Sequence, residues 1–276
     1  MIKISSMVGT PDLEKPTLAP YQGDLASAFA KLAALGYDGV ELMIKNPSRL
    51  HGLEIQHKLK ENNLELAQIC TGHVYGEDKL GLVSEEATIS TEGMKRLKDL
   101  VDFAASFFEP GLPINIGRSR GPGNPDQPEK SLKAYEEAFR ELADYALVKK
   151  VRLTLEPITA TIANFIHTTQ DGLEMCRRVN RPNFGLMLDV YHMNIEDGDI
   201  YESFREAKDY CWLIHFCDNN RKWPGSAHLD FAKIINTLQE IDYNGFVSLE
   251  MLPWPDPDTS ARAAIQYLRR FIPKNS

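Results

Sequence analysis

Four strand-like segments in the second half of the chain carry, at or near their ends, residues that could bind a metal ion. The segments V-R-L-T-L-E, F-G-L-M-L-D and F-V-S-L-E end at Glu156, Asp189 and Glu250, and a fourth, W-L-I-H, ends at His215. Three carboxylates and one imidazole make a mostly oxygen donor set. Such a set suits Mn²⁺ or Mg²⁺, with Co²⁺ as a further candidate. It differs from the thiolate-rich donor sets of zinc sites.

The alternation of side chains along these segments predicts that all four residues point in one direction. Successive side chains of a strand lie on opposite faces, so Leu153 and Leu155 share one face while Thr154 and Glu156 share the other. In a closed barrel the apolar face meets the helices, and the candidate ligands then point to the barrel axis at the carboxyl ends of the strands, where barrel enzymes carry their active sites. Three carboxylates there would repel one another, and a divalent cation would remove that repulsion.

Short strand-like segments alternate with longer helical patterns along the whole chain. Strands are predicted at residues 2–6, 40–44, 64–70, 113–117, 151–156, 184–189, 212–217 and 246–250, and the clearest helices at 26–35, 93–107, 132–147 and 231–241. Ser90 and Thr91 are candidate caps of the second of these helices, and Asp230 of the fourth. No G-x-G-x-x-G follows the first strand. The pattern therefore favours the α/β class, as a single (β/α)8 TIM barrel over residues 1–276, rather than an open doubly wound sheet.

Composition narrows the classes of partner. The chain has 276 residues, of which 43% are apolar and 25% charged, as is usual for a globular protein. A net charge of −8 without a basic stripe argues against nucleic acid and anionic membranes as partners. No apolar stretch is long enough to cross a bilayer, and the first residues lack a signal-peptide pattern. With four cysteines and no C-x-x-C pair, we expect a cytoplasmic protein with reduced thiols.

Several ordered motifs give the chain a resemblance to a known superfamily. They are L-E-P-I around Glu156, N-F-I-H-T-T at 164–169, L-D-V-Y-H-M-N-I-E at 188–196, H-F-C-D-N-N-R-K-W-P-G at 215–225, A-H-L-D-F at 227–231 and S-L-E-M-L-P at 248–253. In these motifs the chain resembles the xylose-isomerase-like sugar isomerases and epimerases. It is most similar to the ketose 3-epimerases of the tagatose/psicose group and to related keto-sugar-acid epimerases. The resemblance covers nearly the whole chain and implies a TIM barrel that acts on a small sugar.

The resemblance also implies roles for individual residues. One divalent ion, for which Mn²⁺ is the first expectation, would be bound by Glu156, Asp189, His215 and Glu250. The two glutamates would also move protons, while His192 and Arg221 would contact substrate oxygens. Similar enzymes are commonly homodimers or homotetramers, and we expect one of these assemblies. Independently of the motifs, His73 follows the third predicted strand and is a further candidate for lining the sugar pocket.

These roles define a proton-transfer reaction. A metal that coordinates a ketone and the neighbouring hydroxyl would stabilise a cis-enediolate, and Glu156 and Glu250 would flank the reacting carbon. Return of the proton from the opposite face inverts that carbon, whereas return to the neighbouring carbon interconverts aldose and ketose. The same residues serve epimerisation and isomerisation. The alternative on the same metal site is a keto-inositol-type dehydratase, in which the enediolate would expel a hydroxyl instead.

Two further alternatives fit the sequence less well. An abasic-site endonuclease of this barrel type would use a histidine-rich, multi-zinc site and a basic surface, whereas this chain has 7 histidines and a net charge of −8. A non-catalytic sugar-binding barrel would not need both candidate acids.

One segment departs from the family pattern, because E-P-I-T-A-T-I places Ala160 and Ile162 where Arg and Glu often stand. Arg118 and Arg120, in a long βα loop, either face solvent or meet an acidic group of the substrate.

Overall fold

The protein is a closed barrel of eight parallel strands. The computed structural model describes residues 1–15, 17–107 and 111–274. The barrel strands are β1 (Lys3–Gly9), β2 (Gly39–Met43), β3 (Glu65–Cys70), β4 (Pro113–Ile116), β5 (Arg152–Leu155), β6 (Phe184–Asp189), β7 (Cys211–Phe216) and β8 (Phe246–Leu249). Each pairs with the next, and β8 pairs back onto β1 with Ser248 opposite Ser5, which closes the barrel. The predicted TIM barrel is therefore confirmed.

Helices surround the barrel and form most of the connections between its strands. Across the described ranges they are α1 (Leu25–Leu35), α2 (Gly52–Glu61), α3 (Gly72–Gly76), α4 (Ala87–Ala105), α5 (Pro128–Val148), α6 (Thr169–Val179), α7 (Val190–Glu196), α8 (Ile200–Ala207), α9 (Phe231–Glu240) and α10 (Pro257–Leu268). A two-residue strand, Tyr21–Gln22, also pairs with β1. None of the helices in the described part of the chain is both long and apolar enough to cross a bilayer. All four cysteines are described, buried and unpaired.

The predicted helix starts were less accurate than the predicted strands. Helix α4 begins at Ala87, six residues before the predicted start at Gly93, so the prediction that Ser90 and Thr91 cap it is wrong. Ser90 instead accepts a hydrogen bond from the Ser84 N–H, and the Thr91 hydroxyl donates to a carbonyl one turn back in the helix. The first turns of α4 are polar and show no apolar periodicity, so the predicted helix began too late. The predicted cap at Asp230 is confirmed, because its carboxylate accepts from the N–H of residue 233.

Two separate apolar layers confirm the predicted facing of the strands. Ala67, Met187, Leu213 and Phe246 pack together as one small cluster inside the barrel. The alternating residues of β5 to β8, among them Leu153, Leu155, Leu186, Ile214 and Val247, belong to the large core between strands and helices. The side chains that follow the inner cluster toward the carboxyl ends of the strands are therefore directed to the barrel axis, as the alternation predicts.

Trp212 is an exception to that alternation. The β6–β7 pairing shifts register between Leu186 and Met187, so β7 contains one extra residue at this level. The Trp212 ring lies beside Gly185, where an added Cβ would be 2.8 Å from it, and the Arg152 guanidinium lies 4.9 Å from its centroid. Trp212 thus packs against inward-facing positions at the amino-terminal end of the barrel instead of facing the helices.

Arg120 joins the chain segments that carry the candidate site. Its side chain is 1% exposed, and its guanidinium donates to the carbonyls of Gly117 at 3.0 Å, Glu156 at 2.8 Å, Phe165 at 2.8 Å and Ile166 at 3.4 Å. These bonds tie the loop after β4 to the end of β5 and to the loop that follows it. Arg120 is therefore committed to backbone carbonyls and does not meet a substrate.

We predict that Arg120→Met lowers the free energy of unfolding by about 3 kcal/mol, because it leaves buried carbonyls without their donor. Urea denaturation followed by circular dichroism measures the change. Arg118→Met is the matched control, since Arg118 lies in the same short 3₁₀ turn but is exposed, and it should change stability by no more than about 0.5 kcal/mol. Equal effects of the two substitutions would contradict the structural role given to Arg120.

Candidate active site

The structure brings the four predicted ligands together at the carboxyl ends of four consecutive strands. Glu156 directly follows β5, Asp189 ends β6, His215 lies in β7 and Glu250 directly follows β8. Each of the four offers one ligand atom, and these atoms all lie within 4.8 Å of one another. All four side chains are buried. The protein therefore contains a buried group of three carboxylates and one imidazole that could hold a metal ion.

One buried atom of this cluster lacks a hydrogen-bond partner. It is Nδ1 of His215, which lies 3.5 Å from Oε2 of Glu250. Buried polar atoms almost always have partners, so an orphaned nitrogen beside carboxylate oxygens indicates a missing ligand. A divalent cation fits this place, because a neutral imidazole nitrogen and carboxylate oxygens are the donors that Mn²⁺ accepts. The residues present therefore fit the metal that the sequence predicts.

Glu41 orients the imidazole of the cluster. Nε2 of His215 lies 3.0 Å and 3.2 Å from the two carboxylate oxygens of Glu41, and both residues are fully buried. Gln68 donates to Glu41 at 2.9 Å and accepts from the Thr154 hydroxyl at 2.8 Å. This network places a proton on Nε2 and directs Nδ1 at the other ligands, as the outer partners of metal-binding histidines do. The sequence analysis missed Glu41, although a charged residue between Val40 and Leu42 inside a strand was a usable signal.

The two glutamates of the cluster have opposite protonation tendencies. Burial and the neighbouring Glu250 raise the pKa of Glu156 to about 8, although Asn115 donates to its Oε2 at 3.1 Å. Burial alone would raise the pKa of Glu250 as well, but Arg221 and His215 outweigh burial and hold that pKa below its usual range. The difference follows from position, because the Arg221 guanidinium lies against Glu250. Near pH 7 the cluster therefore contains one protonated and one ionised glutamate.

Arg221 lies against the cluster and bridges two of its carboxylates. Its Nη1 lies 2.7 Å from Oδ2 of Asp189 and 3.0 Å from Oε2 of Glu250, and its guanidinium covers the Tyr191 ring at 4.3 Å. The other oxygen of Asp189 accepts from the Tyr191 N–H at 2.8 Å and caps α7. One carboxylate thus joins a helix start to the guanidinium. The structure places Arg221 beside the cluster, and its predicted contact with substrate oxygens stays a prediction.

His192 also reaches the cluster, from a helix. It lies in the first turn of α7, and its Nε2 is 3.7 Å from both Glu156 Oε1 and Asp189 Oδ2. The same nitrogen lies 3.3 Å from Nη2 of Arg221, and Nδ1 accepts from the Thr159 N–H at 3.4 Å. Burial lowers the pKa of the imidazole, so the ring is neutral. Its Nε2 is placed to form a hydrogen bond with a substrate hydroxyl, which can both donate and accept.

The loop after β7 is rich in polar residues and folds around one buried carboxylate, that of Asp218. It accepts from the backbone N–H groups of Asn219 at 2.9 Å, Gly225 at 3.0 Å, Ala227 at 2.9 Å and Leu229 at 3.1 Å. The loop folds around this side chain and presents Arg221 with a positive φ of 60°. The sequence analysis did not single out Asp218. A fully buried loop aspartate is indistinguishable from an exposed one in the sequence alone.

A cavity of about 240 Å³ opens above the cluster, lined by Glu156, His192, Arg221, Glu250 and residues of five other segments. His73 lies on its wall, at the start of α3, as the sequence suggested. Its Nδ1 is 3.0 Å from Oε1 of Glu77, and burial lowers its pKa. The neutral ring therefore carries its proton toward Glu77, which leaves Nε2 as a hydrogen-bond acceptor.

The segment that departs from the family pattern contributes an apolar wall. Ile162 lines the cavity, whereas Ala160 does not. Glu196 fixes this segment, because its Oε1 accepts from the Ala160 N–H at 2.8 Å and from the Thr159 hydroxyl at 2.5 Å. Glu196 is the last residue of α7, which also carries His192. The loop after β5 and the helix after β6 are thus joined beside the cavity.

Comparisons with known proteins agree with this geometry. A family model described as "Xylose isomerase-like TIM barrel" matches residues 29–271. A probable ketose 3-epimerase of Synechocystis sp. is 26% identical over 92% of this chain and 87% of its own length. The 3-dehydro-D-guloside 4-epimerase of Escherichia coli is 23% identical over 89% of this chain and 94% of its own.

A solved structure gives the same result for the fold. The crystal structure of D-allulose 3-epimerase from Methylomonas sp. in complex with D-allulose superposes with a TM-score of 0.79 over 98% of both chains, at 24% identity. The family model covers most of the present chain, and the barrel order and closure match it independently. The chain therefore belongs to the family of xylose isomerase-like TIM barrels.

Proposed function

We propose that this protein is a metal-dependent epimerase or isomerase of a ketose or keto-sugar acid. One observation carries the proposal. Glu156, Asp189, His215 and Glu250 converge below a cavity, with the buried Nδ1 of His215 left without a hydrogen-bond partner. The relatives support the reaction class, since one is named a ketose epimerase and another a 4-epimerase of a keto-glycoside. A homodimer or homotetramer, expected from the resemblance, stays a prediction.

The four converging residues would hold one divalent cation, for which Mn²⁺ suits the oxygen-rich donor set and Mg²⁺ or Co²⁺ are alternatives. When bound, the cation supplies positive charge against the negative charge that develops on the carbonyl and hydroxyl oxygens of the substrate. Without such a charge, the cluster reduces its negative charge by holding protons on Glu156 and His215, whose pKa values are raised. The Arg221 guanidinium offsets part of the remainder, because it contacts Asp189 and Glu250.

Glu156 and Glu250 would transfer the proton at the reacting carbon. They are the two cluster residues that also line the cavity, so both can reach a substrate there. One removes the proton, and the other returns it from the opposite face, with the roles exchanged in the reverse reaction. Nε2 of His192 and the guanidinium of Arg221 would contact substrate oxygens over the cluster, and Nε2 of His73 would accept from a hydroxyl farther along the chain of the sugar.

The proposal predicts that Glu156→Gln and Glu250→Gln each lower the rate of epimerisation by about 10²- to 10⁴-fold, the usual contribution of a general acid or base. The assay supplies ketoses and keto-sugar acids with Mn²⁺ in D₂O and follows deuterium uptake and product mass, with bound metal measured in parallel. Glu65→Gln, an exposed glutamate paired with Lys3, is the control and should keep full activity. Full activity in either cluster variant would contradict the two-acid scheme. Loss of water from the substrate would instead identify a dehydratase.

Metal affinity should rise with pH between 6 and 8. Burial and Glu250 place the pKa of Glu156 at about 8, and Glu41 and Glu250 outweigh burial and raise the pKa of His215. Both groups therefore carry protons at pH 7 that a cation must displace, and each displaced proton lowers the apparent affinity about tenfold per pH unit below its pKa. Calorimetric titration with Mn²⁺ in two buffers of different ionisation enthalpy should show release of at least one proton. An affinity independent of pH would contradict this assignment.

Glu41→Gln should weaken Mn²⁺ binding by about 10- to 100-fold, because removal of the outer partner of a metal-binding histidine has that usual effect. The amide can still contact Nε2 of His215, but it no longer fixes the ring by charge. Calorimetry measures the change without an activity assay. Thr154→Val is the graded control, since it removes only the hydroxyl that donates to Gln68 and should have a smaller effect. Equal Mn²⁺ affinity in Glu41→Gln and the unmodified protein would refute the role of Glu41.

A further inference from the structure

Arg118 is a cation on the cavity wall that the proposed chemistry leaves unused. It directly follows Gly117, lies in the 3₁₀ turn after β4 and lines the same cavity as Glu156 and Glu250. Within the part of the chain that the structure describes, its guanidinium forms no ion pair with a carboxylate. It lies over the Tyr75 ring, 6.0 Å from the ring centroid. The charge of Arg118 is therefore available to a ligand.

The acidic residues nearest to this wall are already engaged. Glu77 is bound by Lys45 at 2.8 Å, by His73 at 3.0 Å and by two backbone N–H groups. Asp78 is bound by Arg96 at 2.8 Å and by Lys45 at 3.3 Å. If either carboxylate turned to Arg118, Lys45, whose side chain is only 4% exposed, would lose one of its carboxylate partners. Arg118 is thus not expected to be neutralised from within the protein.

Two glycines locate Arg118 relative to the cluster and to His73. A Cβ on Gly117 would lie 2.3 Å from Oε2 of Glu156, so the chain leaves β4 directly above that carboxylate. A Cβ on Gly76 would lie 3.7 Å from Nη1 of Arg118 and 3.9 Å from Nδ1 of His73. The guanidinium therefore lies on the rim between His73 and the proton-transferring glutamate. It is within the space that a substrate held by the cluster would share.

The remaining wall does not cancel this charge. Arg221, the other arginine of the cavity, is neutralised by Asp189 and Glu250. Ile162 also lines the cavity, and its apolar side chain carries no charge. The rim is thus locally cationic in a protein with a net charge of −8. A local cation of this kind in an acidic protein selects for an anionic ligand group and against a neutral one.

We propose that Arg118 binds a carboxylate at the end of the substrate remote from the reacting ketone, so that the substrate is a keto-sugar acid instead of a neutral ketose. This proposal rests on the proposed function for the reaction at the cluster. A guanidinium presents two parallel N–H donors that match the two oxygens of a carboxylate. His73, with Nε2 as acceptor, lies close enough to hold a neighbouring hydroxyl. A phosphate dianion would bring a second charge, for which the described residues that line the cavity supply no further unpaired cation.

The test compares two sugars that differ in one group. D-Fructuronate carries a carboxylate where D-fructose carries a hydroxymethyl group, and D-fructose 6-phosphate supplies the phosphate arm. Arg118→Gln should weaken D-fructuronate binding, measured by calorimetry with the Mn²⁺-loaded protein, and raise its KM by about tenfold or more, while changing both values for D-fructose by less than about twofold. Arg118→Lys, which keeps the charge but loses the fork, should fall between.

The control is Lys79→Gln. Lys79 also lies over the Tyr75 ring, at 5.5 Å, but does not line the cavity, so its loss removes the same charge nearby without touching the site. It should leave the preference for D-fructuronate unchanged. A preference lost equally in both variants would mean a general field effect and would overturn the specific contact.

The outcomes separate this inference from the proposed function. If the protein exchanges deuterium into D-fructose and Arg118→Gln leaves both sugars unaffected, the carboxylate site is wrong and the epimerase proposal stands. If no sugar exchanges deuterium, the epimerase proposal fails, and calorimetry decides the site alone. Equal affinities of the unmodified protein and Arg118→Gln for D-fructuronate, including no binding by either, overturn it. A larger effect of Arg118→Gln on D-fructose 6-phosphate than on D-fructuronate would overturn the carboxylate assignment in favour of phosphate.

Discussion

The structure depends on the burial of three carboxylates within a few ångströms of one another at the barrel axis. Burial of a charge is costly unless a compensating charge lies beside it. Glu250 has Arg221 and His215, and its pKa falls, whereas Glu156 has mainly an amide and neighbouring carboxylates, and its pKa rises. The protein thus compensates the cluster incompletely, and Glu156 holds a proton in place of a counter-charge. A divalent cation that displaced this proton would supply the missing positive charge.

The scaffold around the cluster keeps this unfavourable arrangement in place. Arg120 joins the loop after β4 to the carbonyl of Glu156, and Asp218 gathers four backbone N–H groups of the loop that presents Arg221. Glu41 holds the imidazole from below. Each of these charged groups is buried and saturated by hydrogen bonds, so each acts on the site through position. In the cluster itself, Nδ1 of His215 remains without a hydrogen-bond partner, which leaves it free to bind a ligand.

The sequence predicted the barrel and the convergence of four residues because both follow from a period of two. Once a strand alternates, the facing of Glu156 or Asp189 is determined, and the ends of parallel strands must meet at one edge of the barrel. The residues that lie below the strand ends and hold the cluster in place are harder to predict from the sequence. Glu41 belongs to a strand whose fully buried run conceals its role, and Trp212 faces the axis because of a register shift that no local pattern announces. Loop residues such as Asp218 depend on long-range contacts.

The two ends of the cavity are built by different means, and this separates chemistry from specificity. The residues of the cluster come from strand ends, whose positions are set by ladder hydrogen bonds around a closed barrel. His73, Arg118 and Ile162 come from the segments after β3, β4 and β5, whose side chains can change without disturbing those ladders. A barrel of this kind can keep one proton-transfer site while its rim adapts to another substrate. Under the proposed function, the Arg118 guanidinium, which has no ion pair among the described residues, and the apolar side chain of Ile162 would decide which sugar this rim accepts.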